Sequence, residues 1–241
     1  MHMPKLVDHR YFYDKYDPTL EKFVGHYTSG ICRDAVAAMV LENRWRFDDK
    51  DLLQSLPKKI TNPCIAGFMI EQAVLSLIVH NGLNITPELN NPMGHYFFEG
   101  EFPSFNTTKG KPVLYVPKVF NFRNIDGIIV YTAPRPRGRN AGNAKQKLFM
   151  FPLQITLAPD KHSKSLQKFF SEWTTWTEDL QKFNVVPEFV WISPKAAKIT
   201  KHAKSDSCPA HVERYVPIEH ISKEIWNWYD KGKRDNRIAY E

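Results

Sequence analysis

Asp126, Gln154 and Thr156 sit on two β-rich runs, and Glu71 interrupts the most apolar stretch of the chain. The first run reads Asn-Ile-Asp-Gly-Ile-Ile-Val-Tyr-Thr from Asn124. The second reads Leu-Phe-Met-Phe-Pro-Leu-Gln-Ile-Thr-Leu-Ala-Pro-Asp-Lys-His to His162. A polar, glycine-containing segment joins them, which predicts a long-looped hairpin. If Thr132 lies opposite Leu148, an antiparallel register carries Asp126 to Gln154 and places an acid and an amide side by side at the open end. Within the second run Phe149, Phe151, Leu153, Ile155 and Leu157 point one way. Met150, Pro152, Gln154 and Thr156 point the other, so Gln154 and Thr156 share a face. The joining loop carries Arg135, Arg137 and Arg139 beside Gly138, and three guanidinium groups suit phosphate contacts. A solvated basic loop is the simpler reading of the same residues.

Glu71 lies within Pro63–His80, the strongest helix signal in the chain. Asn62-Pro63 forms the expected start and Asn81-Gly82 the stop. Ile65, Phe68, Met69, Ile70, Val74, Leu75, Leu77, Ile78 and Val79 make this helix apolar all round, hence buried. A carboxylate there costs several kcal/mol unless it is paired, ligates a metal or is protonated. The plainer alternative puts Glu71 at an exposed edge beside Gln72.

The elements that must position these residues follow in order. Residues 1–28 form an N-terminal arm, irregular over Tyr11–Tyr27 around the Asp17-Pro18 turn. Ser29 caps a helix over Ile31–Glu42, and a short helix runs from Asp48 or Asp49 to Leu56. Tyr96–Phe98 and Val113–Val116 are strands that lead into the sheet. Pro152 cannot donate to a ladder, so its strand is expected at an edge, or to start late or bulge there. Ser163–Phe183 reads as one long helix with Leu166, Phe169, Phe170, Trp173, Trp176 and Leu180 inward. Pro187–Ser193 is a buried strand, Pro194–Ala210 a lysine-rich surface loop, and Tyr215–Ile218 a short strand. Ile218–Tyr229 is a last helix with Ile221, Ile225 and Trp228 inward. One domain over 1–241 is the expectation.

Composition narrows the function classes. The 241 residues carry 33 Lys+Arg against 26 Asp+Glu, a net charge of +7 with a pI near 9.2, which favours polyanionic partners. Cys32, Cys64 and Cys208 are too few and too scattered for a disulfide framework or a metal knuckle, and read as reduced intracellular thiols. No Gly-x-Ser-x-Gly elbow exists for a serine hydrolase. The longest apolar run, Ile65 to Val79, is broken by Glu71 and Gln72, which argues against a membrane partner. Met-His-Met-Pro at the start lacks a secretory signal's apolar region, and the expectation is a fragment of a longer protein.

The order of a buried helix with Glu71, a strand from Asp126, a strand with Gln154-x-Thr156, a helix and another strand resembles the PD-(D/E)XK nuclease superfamily. Pro152-Leu-Gln-Ile-Thr-Leu157 followed by Asp160-Lys161-His162, the Arg10-Tyr11-Phe12-Tyr13 arm and Ser29-Gly-Ile-Cys-Arg-Asp-Ala35 look like the C-terminal nuclease-type domain of Crinkler and retrotransposon hot spot effector proteins. The resemblance implies an α/β fold of the restriction-endonuclease-like type, with a mixed central sheet flanked by helices. It implies hydrolysis of DNA phosphodiester bonds with Mg²⁺ or Mn²⁺ as cofactor. Asp126 would be the principal metal ligand, Glu71 would approach from its helix, and Gln154 would offer an amide oxygen where a second acid is usual. Thr156 stands where such nucleases place a lysine. Lys118 or Lys161 could supply that charge, or His162 could act as general acid or base. Each also has a bland reading, as a solvated strand residue, a surface charge and a helix-entry residue. An effector of this kind implies a nuclear site of action and a header and ATPase module before residue 1. The alternatives are a catalytically silent fold that binds DNA, and an effector domain whose partner is a host protein or another domain.

Overall fold

The computed structural model describes residues 12–17, 22–27, 63–98, 102–105, 110–117, 125–134, 145–157, 164–205 and 208–234. The helices expected over Ile31–Glu42 and Asp48–Leu56, and the Ser29 and Ser163 caps, lie outside them. The chain divides into two compact units, Met1–Leu77 with Ile218–Glu241, and Ile78–Pro217.

In the first unit the arm is not irregular. β1 (Phe12–Asp17) and β2 (Lys22–Tyr27) pair antiparallel, with Phe12 opposite Tyr27 and Asp17 opposite Lys22. Six-residue runs rich in Phe, Tyr and Val satisfy each other's backbone groups across such a hairpin, which outweighs the charged residues among them. At the other end of this unit the expected single last helix is two, here named by position as the Ile218–Ile221 and Lys223–Arg234 helices. Ser222 breaks them: its Oγ accepts the Ile225 N–H at 3.2 Å and donates to Glu224 Oε2 at 3.0 Å, an N-cap arrangement. Ile225 and Tyr229 are buried, whereas Ile221 and Trp228 are half-buried.

Helix α1 spans Pro63–Asn81, as the sequence predicts. Its side chains Ile70, Ala73, Val74, Leu75, Leu77, Ile78 and Val79 are all buried, the signature of a helix covered on every side. Gly82 stops it with φ +82, donating its N–H to Ile78 O at 2.9 Å. A Cβ at Gly82 would collide with Leu89 O and come within 2.7 Å of Asn90 C and Asn91 N, all backbone. Gly82→Ala therefore combines left-handed strain with a clash that no side-chain movement relieves. It should cost about 3 kcal/mol and lower Tm by roughly 6–12 °C, read by differential scanning calorimetry.

The second unit is built on a seven-stranded mixed sheet of order β3-β4-β5-β6-β7-β9-β8. The strands are β3 (Gly94–Phe98), β4 (Val113–Pro117), β5 (Gly127–Thr132), β6 (Gln146–Ile155), β7 (Phe183–Ser193), β8 (Lys198–His202) and β9 (His211–Pro217). β3 with β4, β6 with β7, and β7 with β9 run parallel, and the remaining pairs antiparallel. This is the α/β class with a mixed central sheet. All six residues of β5 are buried, and in β6 burial is continuous from Met150 to Ile155. Strands covered on both faces need continuous apolar runs, and these have them.

The sheet corrects three expectations. β6 is interior rather than at an edge. Its pairing with β7 lapses at Phe151 and Pro152 and resumes at Leu153 in the same register, so the proline's missing donor is absorbed by a local gap instead of a bulge. Pro194–Ala210 is not all loop, because β8 forms within it and pairs with β9 from Lys198↔Tyr215 to His202↔His211. Lysines on an edge strand discourage further pairing, which reconciles its composition with its structure. The predicted helix Ser163–Phe183 is broken into α2 (Ser165–Ser171), α3 (Trp173–Trp176) and a 3-10 turn at Glu178–Leu180. Thr177 Oγ1 donates to Trp173 O at 2.9 Å, a local side-chain bond that competes with helix continuation where Thr177 has φ −114 and ψ 8.

The aromatic spacing nonetheless does its predicted work. Phe169, Phe170 and Trp176 pack with Ile128, Val130, Leu148, Met150, Phe189 and Trp191 in one cluster on one sheet face. On the opposite face Tyr131 stacks on Phe149 and Phe151 with centroids 5.0 and 5.9 Å apart.

Candidate functional site

The register that brings the site together is the predicted one: Thr132↔Leu148 through Gly127↔Leu153 without a slip. Asp126 is one residue before β5, and its N–H donates to Leu153 O at 2.8 Å, which carries the ladder one step past the strand. Its side chain then falls on the same sheet face as that of Gln154. Gln154 Nε2 donates to Asp126 Oδ2 at 2.9 Å, and the Ile155 N–H donates to the same oxygen at 2.5 Å. Asp126, Gln154 and Thr156 are 8%, 5% and 7% exposed. Thr156 holds its place through its N–H to Ile192 O, 2.9 Å, on the neighbouring β7.

Burial is the dominant influence on the acid. Removal from water pushes the Asp126 pKa from 3.8 up to about 7, and the Ile155 N–H acts in the opposite sense by stabilising the anion. Gln154 Oε1 is buried with no hydrogen-bond partner. The pair thus presents a carboxylate oxygen with two donors, and an amide oxygen with none. Both are hard oxygen donors, and an orphaned buried carbonyl is the kind of atom a cation or a water satisfies. Among the described residues no group of three or more His, Cys, Asp or Glu is placed to hold a metal ion. The pair supplies two oxygen atoms, too few for a closed all-protein metal cage.

Glu71 is half-buried on α1, where its Oε1 accepts the Gln72 Nε2 at 3.0 Å, and Gln72 itself is 4% exposed. Lys118, Lys161 and His162, and the loop arginines Arg135, Arg137 and Arg139, lie outside the described residues. Sequence reasoning missed the Ile155 N–H as the carboxylate's second donor, and it missed β7 as the wall of the site. Gln154 pairs with Trp191, which pairs with Tyr215 on β9. The Phe189-x-Trp191 alternation was the available signal for an aromatic face there.

Comparison with protein-family models, with curated proteins and with solved structures finds no match to this chain. The α/β class stands on the sheet itself. Among the described residues no helix is long and apolar enough to cross a membrane.

Proposed function

We propose that the chain is a divalent-metal-dependent phosphodiesterase acting on DNA, on a sheet of the restriction-endonuclease-like, PD-(D/E)XK kind found in Crinkler-type effectors. The observation that carries this reading is the buried Asp126 carboxylate bonded to Gln154 Nε2, beside the orphaned Gln154 Oε1. A buried acid held by neutral donors gains most from a cation, since neither donor supplies the charge that would offset its desolvation. Bound Mg²⁺ or Mn²⁺ would supply Lewis-acid stabilisation of a phosphoryl oxygen and an activated water. Asp126 and Gln154 would hold it, the Ile155 N–H would keep the Asp126 carboxylate oriented, and the basic loop with Arg135, Arg137 and Arg139 would meet the phosphate backbone.

Purified protein incubated with supercoiled plasmid and Mn²⁺ or Mg²⁺ should nick it. Asp126→Asn should lower the rate at least about a hundredfold, a loss in keeping with removal of a charged group that acts on the transition state. Equal nicking by the two proteins would remove Asp126 from the mechanism. A second reading rests on Thr156, an uncharged buried side chain at the position where this chemistry uses lysine. On that reading the fold binds DNA without cutting it, and salt-dependent binding with no cleavage in any divalent metal would select it. A protein-binding effector domain would instead show no DNA affinity at low salt.

A further inference from the structure

β8 is the last strand of the sheet, and among the described residues no strand lies on its other side. Beyond it, Ser205 and Cys208 exchange both backbone bonds, at 2.9 and 3.4 Å, in the same register that pairs His202 with His211. Bonded and non-bonded pairs alternate along an antiparallel ladder, with side chains closest at the non-bonded ones. Counted back from Ser205, the residues bonded to β9 are Lys201 and Ile199. The backbone N–H and C=O groups of Lys198, Thr200 and His202 therefore point away from β9, toward the open edge, and no described strand or turn takes up their bonds. The His202 and His211 rings agree with this phase, stacked with centroids 4.5 Å apart and planes at 11°. The side chains of the edge are open as well. Ile199 is 55% exposed, and Lys198, Lys201 and Lys204 are exposed, with no acid between Lys195 and Lys204. Carboxylates on the neighbouring strands are already engaged, Glu213 by Trp191 Nε1, the Tyr215 hydroxyl and His202, and Glu188 by Arg214.

We propose that the outer edge of β8 is a docking site for an acidic segment of a partner protein, which adds to the sheet as its next strand. An open edge offers main-chain bonds to any extended peptide, and the flanking side chains decide which peptide is taken. Lys198 on one face and Lys201 on the other form opposite-charge pairs with carboxylates of the guest, while Ile199 between them offers an apolar contact. A second copy of this chain is the wrong guest. β8 laid against β8 sets lysines near lysines, and like charges across a strand pair are destabilising. The charge that keeps two copies apart is thus the charge that selects an acidic strand. Nucleic acid would meet the lysines but leave the row of backbone groups and Ile199 unused. The edge belongs wholly to the second unit and shares no residue with the Asp126–Gln154 pair, so the proposal is independent of the phosphodiesterase reading.

The test is fluorescence anisotropy of a labelled peptide, Glu-Val-Glu-Val-Glu-Val-Glu, titrated with the full chain. Wild type should bind it and should not bind the same peptide with lysine in place of glutamate. Lys198→Glu/Lys201→Glu, two changes at exposed positions, should weaken binding at least about tenfold and confer binding of the lysine peptide, as reversal of two cross-strand charge pairs requires. Thr200→Pro removes an N–H on the outward side and leaves the bonds to β9 in place, the one side of an edge strand where proline is tolerated. It should weaken binding about fivefold to tenfold at unchanged Tm. The N-methylated acidic peptide, which keeps its charges and lacks its donors, repeats that test on unaltered protein and should not bind. Full binding of the methylated peptide would reduce the contact to ion pairing and overturn strand addition. Equal affinity for a single-stranded oligonucleotide of the same length would overturn the choice of a peptide. Concentration-dependent dimerisation in sedimentation, abolished in the lysine variant, would assign the edge to a second copy instead, and no binding by wild type at about 1 mM peptide would overturn the site altogether.

Discussion

Wild type and Asp126→Asn are expected to diverge in stability with pH, and the divergence should be largest in acid. In the folded protein the Asp126 carboxyl holds its proton up to about 7, whereas in the unfolded chain it releases it near 3.8. Between those values the native state binds more protons than the unfolded state, so the contribution of this group to stability falls as pH rises. It is fully present below about pH 4 and lost by the time pH passes through 7. Three pKa units correspond to about 4 kcal/mol. The Asp126→Asn side chain keeps an oxygen for the Ile155 N–H and has no proton to lose. The difference between the two proteins' unfolding free energies, from urea melts at half-unit steps from pH 4 to pH 8, should therefore decline by about 4 kcal/mol and flatten above pH 7.5. Parallel curves would mean that the carboxyl is ionised throughout and that burial is compensated by a charge. Mn²⁺ competes with the proton for the same oxygens, so it should stabilise wild type more at pH 8 than at pH 5 and leave the Asp126→Asn protein unmoved.

Phe169→Ala should be the most damaging single truncation in the aromatic cluster. Phe169 is fully buried, with ring centroids 5.2 Å from both Phe170 and Trp176 and 6.0 Å from Phe189. Removing the ring leaves a cavity that neighbouring rings, held by one another, cannot close. A loss of about 4 kcal/mol is expected from chemical denaturation. Phe169→Leu, which keeps most of the volume, should lose less than half of that. The consequence reaches the site, because Phe189 packs on Trp191 with centroids 5.0 Å apart, and Trp191 is the strand partner of Gln154. Near-UV circular dichroism should lose intensity in Phe169→Ala well before the far-UV signal does. A variant that kept both its stability and its near-UV spectrum would show that the cluster can repack.

Local pattern was sufficient for the parts of the fold that depend on one segment and its immediate neighbour. α1 was legible from its largely apolar composition between Pro63 and Gly82, with a glycine at the stop, where φ is +82. The β5–β6 hairpin was legible from two apolar runs joined by a polar loop, and the pairing of Thr132 with Leu148, on which Asp126 meets Gln154, is the one that the sheet adopts. Given that pairing, the acid and the amide meet through the hairpin's own two runs.

What surrounds the pair was decided by tertiary structure. Pro152 argues locally for an edge, yet β6 lies between β5 and β7. Continuous burial of Met150 to Ile155 is worth more than the bonds missing at Phe151 and Pro152, and no local rule weighs the two. Lys198–His202 has no alternation of its own and becomes a strand only because β9 offers a free edge to pair with. The break after Trp176 coincides with a Thr177 hydroxyl bond that spacing rules do not count. The pairing of Gln154 with Trp191 and of Trp191 with Tyr215 is likewise invisible in one dimension, since β6, β7 and β9 stand side by side although β8 lies between β7 and β9 in the chain. A sequence can state which residues alternate along a strand. Only the assembled sheet states which strands stand side by side, because that choice is made by the total apolar surface that can be buried on both faces at once.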